Sequence, residues 1–537
     1  MNEKKIAVII YKTDKNSFDE AKKSASKLVV PNGYELEILT AEGENKFSAY
    51  NSAMNQSDAK YKIYLDEHVI FLQKNILRRM LKIFQSNEKI GIIGVAGAIE
   101  LSTSGMCLSS EKRCGNFLTG KNKTRSSSKK FKDDFIEVDA VDGFFLMTQY
   151  DLNWRDDIFK DNYYGDTAQC IEFKRKNFKS VIVNFDEPVL WFKVDNFQIS
   201  ESYRKKFLDE YSKDIFPLVT VIIPTFNRPK FFKLALDSAL NQTYKNIEVF
   251  VSDNSTNDET EILMQEYLAK DSRIKYFRHK DFNANDNWNF CRQYNNPKAE
   301  YVNWLMDDDL FYPTKFEIMV EIYRNNPDVS LVNSTRDVID LDGNITDRLG
   351  KISEESIKLP GKKAAERIFE HGENFIGEPT TVLIRKKFLR DNDLCWTDEE
   401  GGFFSLIDIS TWLQLLTQGN MIYLAEPFSA FRRHPGQVTN QAGNGIVFEI
   451  CWTQLFKTAW ERKIFLTTEE QIRVRILNWI YSASIRLIQA DKNNYKGGEI
   501  LTLHKTMKAM IDALSNGYKF NLPPRDYGSK TSGGSIT

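Results

Sequence analysis

The sequence has no excess of charge of either sign and no long hydrophobic run. Its 73 lysines and arginines against 74 aspartates and glutamates leave a formal net charge of -1. This balance excludes a general electrostatic attraction for nucleic acid. No apolar run approaches the roughly 20 residues that a membrane helix needs. The first one, residues 6–10, is too short for a secretory signal and predicts a β-strand. We therefore expect neither a nucleic-acid partner nor a transmembrane segment.

Cysteine is also scarce, and no two cysteines form a CxxC pair. The six are Cys107, Cys114, Cys170, Cys291, Cys395 and Cys451. This scattered spacing favours reduced thiols over a disulfide framework. We predict a cytoplasmic protein and leave open whether it also binds peripherally at the inner face of the membrane.

The sequence does contain Val- and Ile-rich runs that alternate with amphipathic helical stretches through about residue 430. Strands are predicted at residues 6–10, 35–39, 181–183, 219–223 and 247–251. This alternation favours α/β domains, and a length of 537 residues favours several of them. Residues 446–518 instead show helical spacing throughout, which predicts a C-terminal helical domain. The end of the chain is of low complexity and predicts a disordered tail.

The chain also resembles itself. Residues 59–71 align with residues 299–311 without a gap, and Tyr50-Asn51 corresponds to Trp288-Asn289. Further on, each copy has an aspartate that opens a helix and a Glu-Pro pair that follows a strand. The matching order predicts two divergent copies of one α/β fold. The expected domains are residues 1–205, 214–440, 441–520 (helical) and 521–537 (tail).

Two segments outside this repeat predict connections. A charged helical stretch over residues 200–216 is expected to link the two copies. The Lys- and Ser-rich residues 121–130 predict a mobile loop. This loop is interpreted either as a solvated connection or as a basic flap over a phosphate-bearing donor.

Polar segments follow two predicted strands of the second copy. Thr225, Asn227 and Arg228 follow one strand, and Asp253 follows the other. Ligands of an open α/β sheet bind outside the carboxyl ends of its strands. An aspartate there can accept a hydrogen bond from a base N–H or a ribose hydroxyl. Each loop taken alone is also typical of a simple turn.

A third strand of the second copy ends in the run Asp307, Asp308 and Asp309. Three adjacent carboxylates repel one another unless a cation or water screens them. Oxygen ligands at this density suit Mn²⁺ or Mg²⁺, which can bridge a diphosphate. The run therefore predicts a metal site, with a solvated acidic turn as the alternative.

In their order, these motifs resemble the family 2 glycosyltransferases of GT-A fold. The resemblance rests on VTVIIPTFNRP, LNQTYKNIEVFVSDNST, NDNWNF, WLMDDDLFYP and FRRHPGQVT, and covers residues 217–440. It implies two tandem GT-A domains, Rossmann-like with mixed sheets, followed by the helical domain. It also implies an inverting, metal-dependent hexosyltransferase of bacterial glycan biosynthesis. The expected partners are a nucleotide-sugar donor, most simply a UDP-sugar, and a hydroxyl of a glycan or glycoprotein acceptor.

The resemblance also implies roles for single residues. The donor is expected to contact Thr225, Asn227, Arg228, Asp253, Asn287 and Asp307. The metal, Mn²⁺ or Mg²⁺, is expected at Asp308, Asp309 and His434. One departure from the family pattern is Met306, where an aspartate is commoner, so the choice of metal ligands stays open.

Asp408 resembles the catalytic base of the family. An acceptor hydroxyl is a poor nucleophile, and a carboxylate within hydrogen-bond reach takes its proton as the attack develops. One base and an in-line displacement imply inversion at the anomeric carbon. The alternatives are that Asp408 only caps its helix and that His434 is a surface residue. Arg432 or Arg433 is a candidate for neutralising the leaving phosphate, and residues 378–381 for lining the acceptor side.

The first copy resembles the streptomycin-cluster-like glycosyltransferase family. The matching segments are AYNSAM, AKYKIYL, IGIIGVAGA, VDGFFLMTQYDL and YYGDTAQCIEFKRKNFK. By this resemblance Asp66 and His68 hold a metal, Asp166 is a catalytic base and Asp142 lines the acceptor pocket. The family commonly carries His-x-Asp, the reverse of the order here, and no counterpart of Asp253 is evident. The copy is either a second active transferase or a degenerate carbohydrate-binding scaffold.

A different class of enzyme with paired acids is a nucleotidyltransferase. Such an enzyme needs a Gly- and Lys/Arg-rich phosphate loop after its first strand, and residues 224–228 do not supply one. The helical domain is expected to pack on the catalytic domain, with homodimer formation or membrane contact as alternatives. Trp452, Phe456, Trp460 and Phe465 are then expected to be core residues.

Overall fold

The computed structural model describes residues 1–127, 131–160, 164–194, 200–389, 406–437 and 443–523. Contacts divide the chain into two compact units. The first unit is Met1–Phe216 with Tyr244–Asn246, and the second is Pro217–Thr243 with Ile247–Thr537. The predicted tail beyond residue 523 lies outside the described residues. The domain boundaries predicted from the sequence stay a prediction.

The first unit contains thirteen described strands and five described helices. The strands are β1 (Asn2–Tyr11), β2 (Glu35–Ala41), β3 (Ala59–Asp66), β4 (Val69–Phe71), β5 (Ile90–Gly94), β6 (Ala96–Ala98), β7 (Arg113–Thr119), β8 (Thr124–Ser127), β9 (Phe135–Val138), β10 (Ala140–Val141), β11 (Phe145–Thr148), β12 (Lys179–Val183) and β13 (Leu190–Phe192). The helices are α1 (Lys15–Ala25), α2 (Lys46–Gln56), α3 (Ile76–Ser86), α4 (Gly165–Arg175) and α5 (Glu201–Ile215).

These strands form a mixed seven-stranded sheet in the order β2-β1-β3-β11-β5-β12-β9 and a smaller sheet of six strands. β1 runs parallel to β2 and β3, whereas β11 is antiparallel to both of its neighbours. The apolar run of β1 is buried on both faces, as expected for a central parallel strand. The carboxyl ends of β1 and β3 therefore meet at one edge, where Asp66 lies opposite Tyr11.

The structure describes most of the two segments that were predicted as connections. The stretch predicted as a linker is helix α5, whose Phe207 and Tyr211 are buried. Arg175 of α4 donates to Glu210 at 3.1 Å and to Asp214 at 2.8 Å, so α5 is packed into the unit. The stretch predicted as a mobile loop contains β8, which pairs antiparallel with β7. Residues 128–130 of that stretch lie outside the described residues.

The second unit contains ten described strands and nine described helices. The strands are β14 (Leu218–Thr225), β15 (Ile247–Asp253), β16 (Ile274–Arg278), β17 (Ala299–Trp304), β18 (Leu310–Phe311), β19 (Val329–Ile339), β20 (Ile345–Leu349), β21 (Ile357–Leu359), β22 (Leu383–Arg385) and β23 (Asn420–Arg432). The helices are α6 (Pro229–Leu240), α7 (Glu259–Lys270), α8 (Ala284–Gln293), α9 (Lys315–Asn325), α10 (Gly361–His371), α11 (Ile407–Leu416), α12 (Asn444–Glu461), α13 (Glu469–Lys492) and α14 (Glu499–Ser515).

All ten strands form one mixed sheet, with the central path β16-β15-β14-β17-β22-β19-β23-β18. β14 is parallel to β15 and β17, and the register places Thr225 beside Asp253. The loops after these strands therefore meet at one edge of the sheet, which is where an open α/β sheet binds its ligands.

Helices α12, α13 and α14 follow the sheet. A capping box between Thr468 and Gln471 begins α13. Trp452, Phe456 and Phe465 are buried in the core of the second unit, with Trp460 packed against it. Among the described residues, no helix is both long and apolar enough to cross a membrane. The predicted fold class is confirmed: two mixed α/β units of GT-A type with a C-terminal helical region.

Candidate active site

The acidic run of the second unit follows β17 and contacts the loop after β14. Oδ2 of Asp307 accepts hydrogen bonds from Thr225 Oγ1 at 2.9 Å and from the Phe226 amide at 3.2 Å. Arg228 Nη1 lies 3.2 Å from Oδ1 of the same carboxylate. The first polar loop is therefore held directly against the acidic run.

Arg228 and His434 meet at Asp308. Arg228 Nη1 donates to Asp308 Oδ2 at 3.0 Å, while its Nη2 donates to the Gly436 carbonyl at 3.1 Å. His434 Nε2 lies 2.9 Å from the same Oδ2. His434 is buried, so the alternative that it is a surface residue is wrong.

Asp309 is turned into the protein. Its Oδ2 accepts from Thr380 Oγ1 at 2.6 Å and its Oδ1 from the Arg432 amide at 3.1 Å. The buried guanidinium of Arg432 donates to the Asp308 carbonyl at 2.9 Å and to the Asp340 carbonyl at 2.7 Å. Asp309 and Arg432 thus hold the acidic turn in place. We therefore do not count Asp309 as a metal ligand or Arg432 as a phosphate contact.

The acidic run is electrostatically strained. Burial, and after it the charge of Asp308, raises the pKa of Asp307 to about 6. Burial and the charge of Asp308 also raise the pKa of Asp309 well above its usual value. A positive charge at Asp308 relieves this repulsion, and in this structure Arg228 provides one.

The loop after β15 holds the other predicted donor residues. Asp253 is buried, and its Oδ2 accepts from Tyr276 Oη at 2.7 Å while its Oδ1 accepts from the Ser255 amide at 2.7 Å. Asn287 on α8 donates to Asn254 Oδ1 at 3.0 Å. The structure thus places Asp253 and Asn287 at the predicted edge, where their side chains brace the loop.

Asn227 joins the two loops of this edge. It has a φ of 53°, an uncommon conformation for a non-glycine residue. Its Nδ2 donates to Thr256 Oγ1 at 3.0 Å and its Oδ1 accepts from the Thr256 amide at 2.9 Å. This reciprocal contact explains how the loop after β14 is kept beside the loop after β15.

Asp408 is the second residue of α11. The position before the helix is Leu406, in the left-handed conformation with a φ of 65°. The alternative that Asp408 caps the helix is therefore wrong. Asn374 Nδ2 donates to Asp408 Oδ2 at 2.8 Å. Burial, and after it the nearby charge of Glu378, raises the pKa of Asp408 to about 6.

Glu378 connects the acidic run with Asp408. Its charge contributes to the raised pKa of both Asp309 and Asp408. Asn374 donates to the Gly377 carbonyl at 3.0 Å as well as to Asp408, which ties the neighbouring backbone to α11. Arg336 Nη2 donates to Glu378 Oε1 at 3.1 Å. The turn that follows, from Pro379 to Thr381, supplies the hydroxyl that binds Asp309. Two regions far apart in the sequence thus form one site.

The first unit repeats the contact between the acidic run and the first loop. Glu67 accepts from the Thr13 amide at 2.8 Å and from the Asp14 amide at 3.0 Å. The gapless alignment of residues 59–71 with 299–311 places Glu67 on Asp307, which makes the corresponding contact with Thr225. This shared contact supports the internal repeat independently of the alignment.

The two predicted metal ligands of the first unit, Asp66 and His68, are hydrogen-bonded to each other. His68 Nδ1 lies 2.8 Å from Asp66 Oδ1, and the His68 amide donates to the same oxygen at 3.0 Å. Lys46 Nζ lies 3.6 Å from Asp66 Oδ2. Burial opposes the charge of Asp66, but these contacts outweigh it and lower the pKa to about 2.

The surroundings of Asp166 match those of Asp408. Asp166 is the second residue of α4 and follows Tyr164, which has a φ of 64°. Its Oδ2 accepts from the Gly143 amide at 2.7 Å, and burial raises its pKa. Asp142 lies 2.7 Å from Arg113, as Glu378 lies beside Arg336 in the second unit. Each unit therefore has an acid at the start of a helix beside an acid paired with arginine.

A cavity of about 460 Å³ brings the predicted residues of the first unit together. Its lining includes Asp66, His68, Asp142, Asp166 and also Lys46, together with the rings of Tyr11, Phe117, Phe144, Tyr164 and Phe192. A cavity of about 680 Å³ in the second unit is lined by none of the predicted site residues. The first unit thus has a formed pocket at its predicted site.

Sequence reasoning missed three residues of these sites. Glu67 stands between the two predicted metal ligands Asp66 and His68, and its binding of the first loop has no local signal in the sequence. Lys46 is 20 residues before Asp66, and nothing in the local sequence links the two. Arg336 lies within a buried strand. The alignment of Tyr50 with Trp288 could have drawn attention to Lys46, because the matching position of the second copy is Ala284.

The fold and the two sites define a class of protein: a glycosyltransferase with two GT-A-type units in tandem. Family comparison agrees. Residues 7–211 match the model described as "Glycosyltransferase like family", and residues 220–392 match "Glycosyl transferase family 2". Each of the two units therefore matches a glycosyltransferase family, the second unit family 2, and the predicted resemblance is confirmed.

Several curated proteins are similar to parts of the chain. An uncharacterized glycosyltransferase of Rickettsia typhi is 29% identical over 301 residues, 55% of this chain and 86% of that protein. The GalNAc(5)-diNAcBac-PP-undecaprenol beta-1,3-glucosyltransferase of Campylobacter jejuni is 37% identical over 93 residues, 17% of this chain and 30% of that protein. Chondroitin synthase of Escherichia coli is 29% identical over 148 residues, 27% of this chain and 21% of that protein.

Among solved structures, crystal structures of S. aureus TarS are similar at low scores. The TarS 1-349 complex with UDP-GlcNAc has a TM-score of 0.36 and 13% identity, covering 57% of this chain and 94% of that chain. A longer TarS structure has a TM-score of 0.34 and covers 55% of each chain.

Proposed function

We propose that the second unit is an inverting, metal-dependent hexosyltransferase. It moves a sugar from a nucleoside diphosphate donor, with a UDP-sugar as the first candidate, to a hydroxyl of a glycan or glycoprotein acceptor. The observation that carries this proposal is the meeting of Arg228, Asp308 and His434 at one carboxylate oxygen. These residues come from three distant segments, and such convergence of charged groups beside strand ends is typical of a donor site.

The residues present fit a divalent cation. Asp308 and His434 offer an oxygen and a nitrogen ligand, and the described residues contain no cluster of three or more such side chains. A two-ligand site suits a metal that takes its remaining ligands from water and from a diphosphate. The mixed donor set favours Mn²⁺ over Mg²⁺. When bound, the metal supplies Lewis-acid stabilisation of the departing nucleoside diphosphate.

In this mechanism Asp408 accepts the proton of the acceptor hydroxyl while that oxygen attacks the anomeric carbon. The bond between the anomeric carbon and the diphosphate oxygen breaks on the opposite face, which inverts the configuration. Asn374 orients Asp408 through its 2.8 Å hydrogen bond. A raised pKa of about 6 makes Asp408 a stronger base than an ordinary aspartate and leaves it ionised near neutral pH.

Arg228 and Thr225 then organise the donor side. Arg228 is half-buried and bridges Asp307 and Asp308, so its guanidinium stands where the diphosphate is proposed to bind. Thr225 fixes the orientation of Asp307. Asp253 and Asn287 shape the loop on the base side of the donor. These assignments follow the geometry of the chain and extend the roles expected from the family.

Donor turnover and product stereochemistry test this proposal. Purified full-length protein is assayed with UDP-, GDP- and TDP-sugars, with Mn²⁺ or with EDTA, and with the Asp308→Ala variant. Release of the nucleoside diphosphate should require Mn²⁺ and fall by about 100-fold or more in the variant. Metal-independent turnover that Asp308→Ala leaves unchanged would contradict the mechanism.

For the first unit we propose a second transfer centre, with Asp166 as its base. The cavity that joins Asp66, Asp142 and Asp166 supports this, as does the raised pKa of Asp166. The other candidate is a carbohydrate-binding scaffold, which the aromatic rings of the cavity also favour. Asp166→Asn separates the two: it should abolish one of two products if the unit is catalytic, and only weaken acceptor binding if the unit is a scaffold.

The acceptor and the cellular site remain part of the proposal. The Campylobacter jejuni relative is named for a lipid-linked oligosaccharide acceptor and the Escherichia coli relative for a polysaccharide. We propose a bacterial glycan acceptor of this kind, handled in the cytoplasm, with peripheral association at the inner membrane face when the acceptor is lipid-linked. Co-sedimentation of the protein with vesicles that carry an undecaprenyl diphosphate sugar tests the last point.

A further inference from the structure

Lys46 occupies an unfavourable position that the proposed function does not require. It is the first residue of α2, where the partial positive charge of the helix end disfavours a cation. It is also buried, with 5% of its surface exposed. A buried ammonium is costly unless it is paired. Both penalties fall on one residue that lines the first-unit cavity.

The ammonium of Lys46 faces two carboxylates. Its Nζ lies 3.6 Å from Asp66 Oδ2, and no hydrogen bond joins it to another residue within the described ranges. Lys46, Asp66 and Asp166 all line the same cavity, and the charge of Lys46 opposes the rise in the pKa of Asp166 that burial causes. This cation therefore stands in one cavity with both the acidic run and the proposed base.

A divalent metal does not fit at Asp66 and His68 as they stand. Oδ1 of Asp66 is bound by the ring Nδ1 and the backbone amide of His68, and Oδ2 faces Lys46. A metal on this carboxylate would lie within a few ångströms of the ammonium and be repelled by it. In the second unit the aligned position is Ala284, and the cation beside Asp308 is Arg228. The Arg228 side chain is 28% exposed and can move aside when a metal binds, whereas the Lys46 side chain is buried in the wall of the cavity.

We propose that Lys46 is the built-in cation of the first unit and takes the place of a divalent metal there. The N–H donors of Lys46 are then available to the anionic group of a ligand in the cavity. In this respect the prediction of a metal at Asp66 and His68 is revised. The proposal rests on the first unit being a transfer centre. Its test measures metal binding and does not require the protein to turn over a substrate.

The test counts Mn²⁺ bound per full-length chain by electron paramagnetic resonance. Lys46→Met should bind one more Mn²⁺ than the wild type, because the carboxylate is freed. Adding Asp66→Asn to Lys46→Met should remove the extra ion. Lys15→Met is the matched control, since Lys15 is the exposed first residue of α1, and it should leave the count unchanged. Lys46→Arg keeps the charge and should also leave it unchanged.

Two results would overturn the proposal. One is a wild-type count that Asp66→Asn alone lowers by one. The other is a folded Lys46→Met variant, judged by circular dichroism, that gains no ion; if that variant fails to fold, Lys46→Gln is read in the same way. Asp308→Ala should lower the count by one in every background if the second unit binds metal. The expected difference in bound Mn²⁺ between the wild type and Lys46→Met does not depend on that outcome.

A separate observation concerns helix α13, which is apolar on two faces. Ile472, Ile476, Trp479 and Ala483 are buried in the core. On the other side, five apolar residues are between 37% and 73% exposed: Val474, Leu477, Tyr481, Ile485 and Ile488. We call these five the outer stripe. A helix that is apolar all round is normally covered on both sides.

The spacing of the residues in the outer stripe is symmetric. Its spacings are three, four, four and three residues, with Tyr481 in the middle. Two antiparallel copies of α13 related by a two-fold axis at Tyr481 would place Val474 opposite Ile488 and Leu477 opposite Ile485. Such self-complementarity is what a two-fold interface between identical chains requires.

The charges beside the stripe have the same symmetry. Glu470 and Lys492 are equally far from Tyr481 and would face each other across the axis. The exposed charges of α13 comprise three acids and three bases: Glu469, Glu470, Asp491, Arg473, Arg486 and Lys492. A helix that lies on an anionic membrane instead carries an excess of basic residues. We infer that the outer stripe binds the outer stripe of a second copy of this chain.

Sedimentation equilibrium of the full-length protein tests the pairing. We expect a weak, reversible dimer that forms as the protein concentration is raised to about 100 µM, because an interface of one helix pair is small. Tyr481→Lys should give a monomer, because it places like charges on the axis. Ile262→Lys, at an exposed apolar position of α7, is the control and should remain dimeric. Glu470→Lys should weaken the dimer, and adding Lys492→Glu should restore it.

A monomer at all these concentrations, or a dimer that Tyr481→Lys leaves intact, would overturn the inference. Vesicles of phosphatidylglycerol provide the other arm of the test. Binding of the wild type to them, lost in Tyr481→Lys while the free protein stays monomeric, would assign the outer stripe to a membrane instead.

Discussion

His434 Nε2 lies 2.9 Å from Asp308 Oδ2, although 126 positions separate the two residues. The contact joins the acidic run after β17 to the segment after β23. Arg228 reaches the same oxygen from the loop after β14. Three loops of the second unit thus converge on one carboxylate, and the proposed donor site depends on that convergence.

The first prediction concerns the metal pair. Asp308→Asn and His434→Ala should each reduce Mn²⁺-dependent turnover by about 100-fold, because each removes one of the two protein ligands. The variants should also bind Mn²⁺ more weakly in titration calorimetry. Asp342→Asn removes an exposed acid of the same unit and should leave both measurements unchanged.

Arg228 should act through geometry as well as charge. Arg228→Lys keeps the charge but cannot bridge Asp307 and Asp308 with one planar group. We expect kcat/KM for the donor to fall by about 10-fold to 100-fold, mainly through a higher KM. Steady-state kinetics with varied donor measures this. A variant with unchanged KM would show that the guanidinium does not contact the donor.

The pH dependence of turnover should report Asp408. Its pKa is raised to about 6, and it must be deprotonated to act as a base. Turnover should therefore be constant above pH 7 and fall about tenfold per unit below pH 6. Asp408→Asn should reduce kcat by about 1,000-fold and abolish this limb. Glu259→Gln, at an exposed acid in the first turn of α7, should leave the profile unchanged.

Ionisation of Asp408 should also lower the free energy of unfolding. A carboxyl with a raised folded pKa binds its proton more tightly in the folded state, so its ionisation destabilises the fold as pH rises from about 4 to about 6. Asp408→Asn should then raise the free energy of unfolding at pH 8 by about 1–3 kcal/mol, and by little at pH 4. Urea unfolding at both values measures it. Equal effects at the two values would exclude a charge-based cause.

The close packing around Asp166 gives a prediction for the first unit. A Cβ added at Gly143 would lie 2.4 Å from Asp166 Oδ2, so Gly143→Ala should displace that carboxylate. Any product that depends on Asp166 should be lost, while donor turnover by the second unit stays intact. Gly498→Ala, where a Cβ would meet nothing within 4 Å and φ is -61°, is the control for the loss of a glycine. Separation of products by chromatography shows which unit has failed.

Much of the architecture follows from local patterns. The strand of residues 219–223 is confirmed as part of β14, because a run of Val and Ile bounded by polar residues has few other stable arrangements. The helical stretch predicted at residues 200–216 is confirmed as α5. Its helical pattern is visible in the sequence, but the burial of Phe207 and Tyr211 against α4 depends on contacts that local patterns do not contain.

The sequence by itself determined the two copies, their order and the residues that gather at the strand ends, because periodicity and motif order are local properties. Tertiary structure alone decided how these side chains are used. It turned Asp309 toward Thr380, assigned Arg432 to the carbonyls of the acidic turn, and set Lys46 against Asp66. These outcomes depend on packing between distant segments, which fixes which atoms are buried together and therefore which charges must be neutralised.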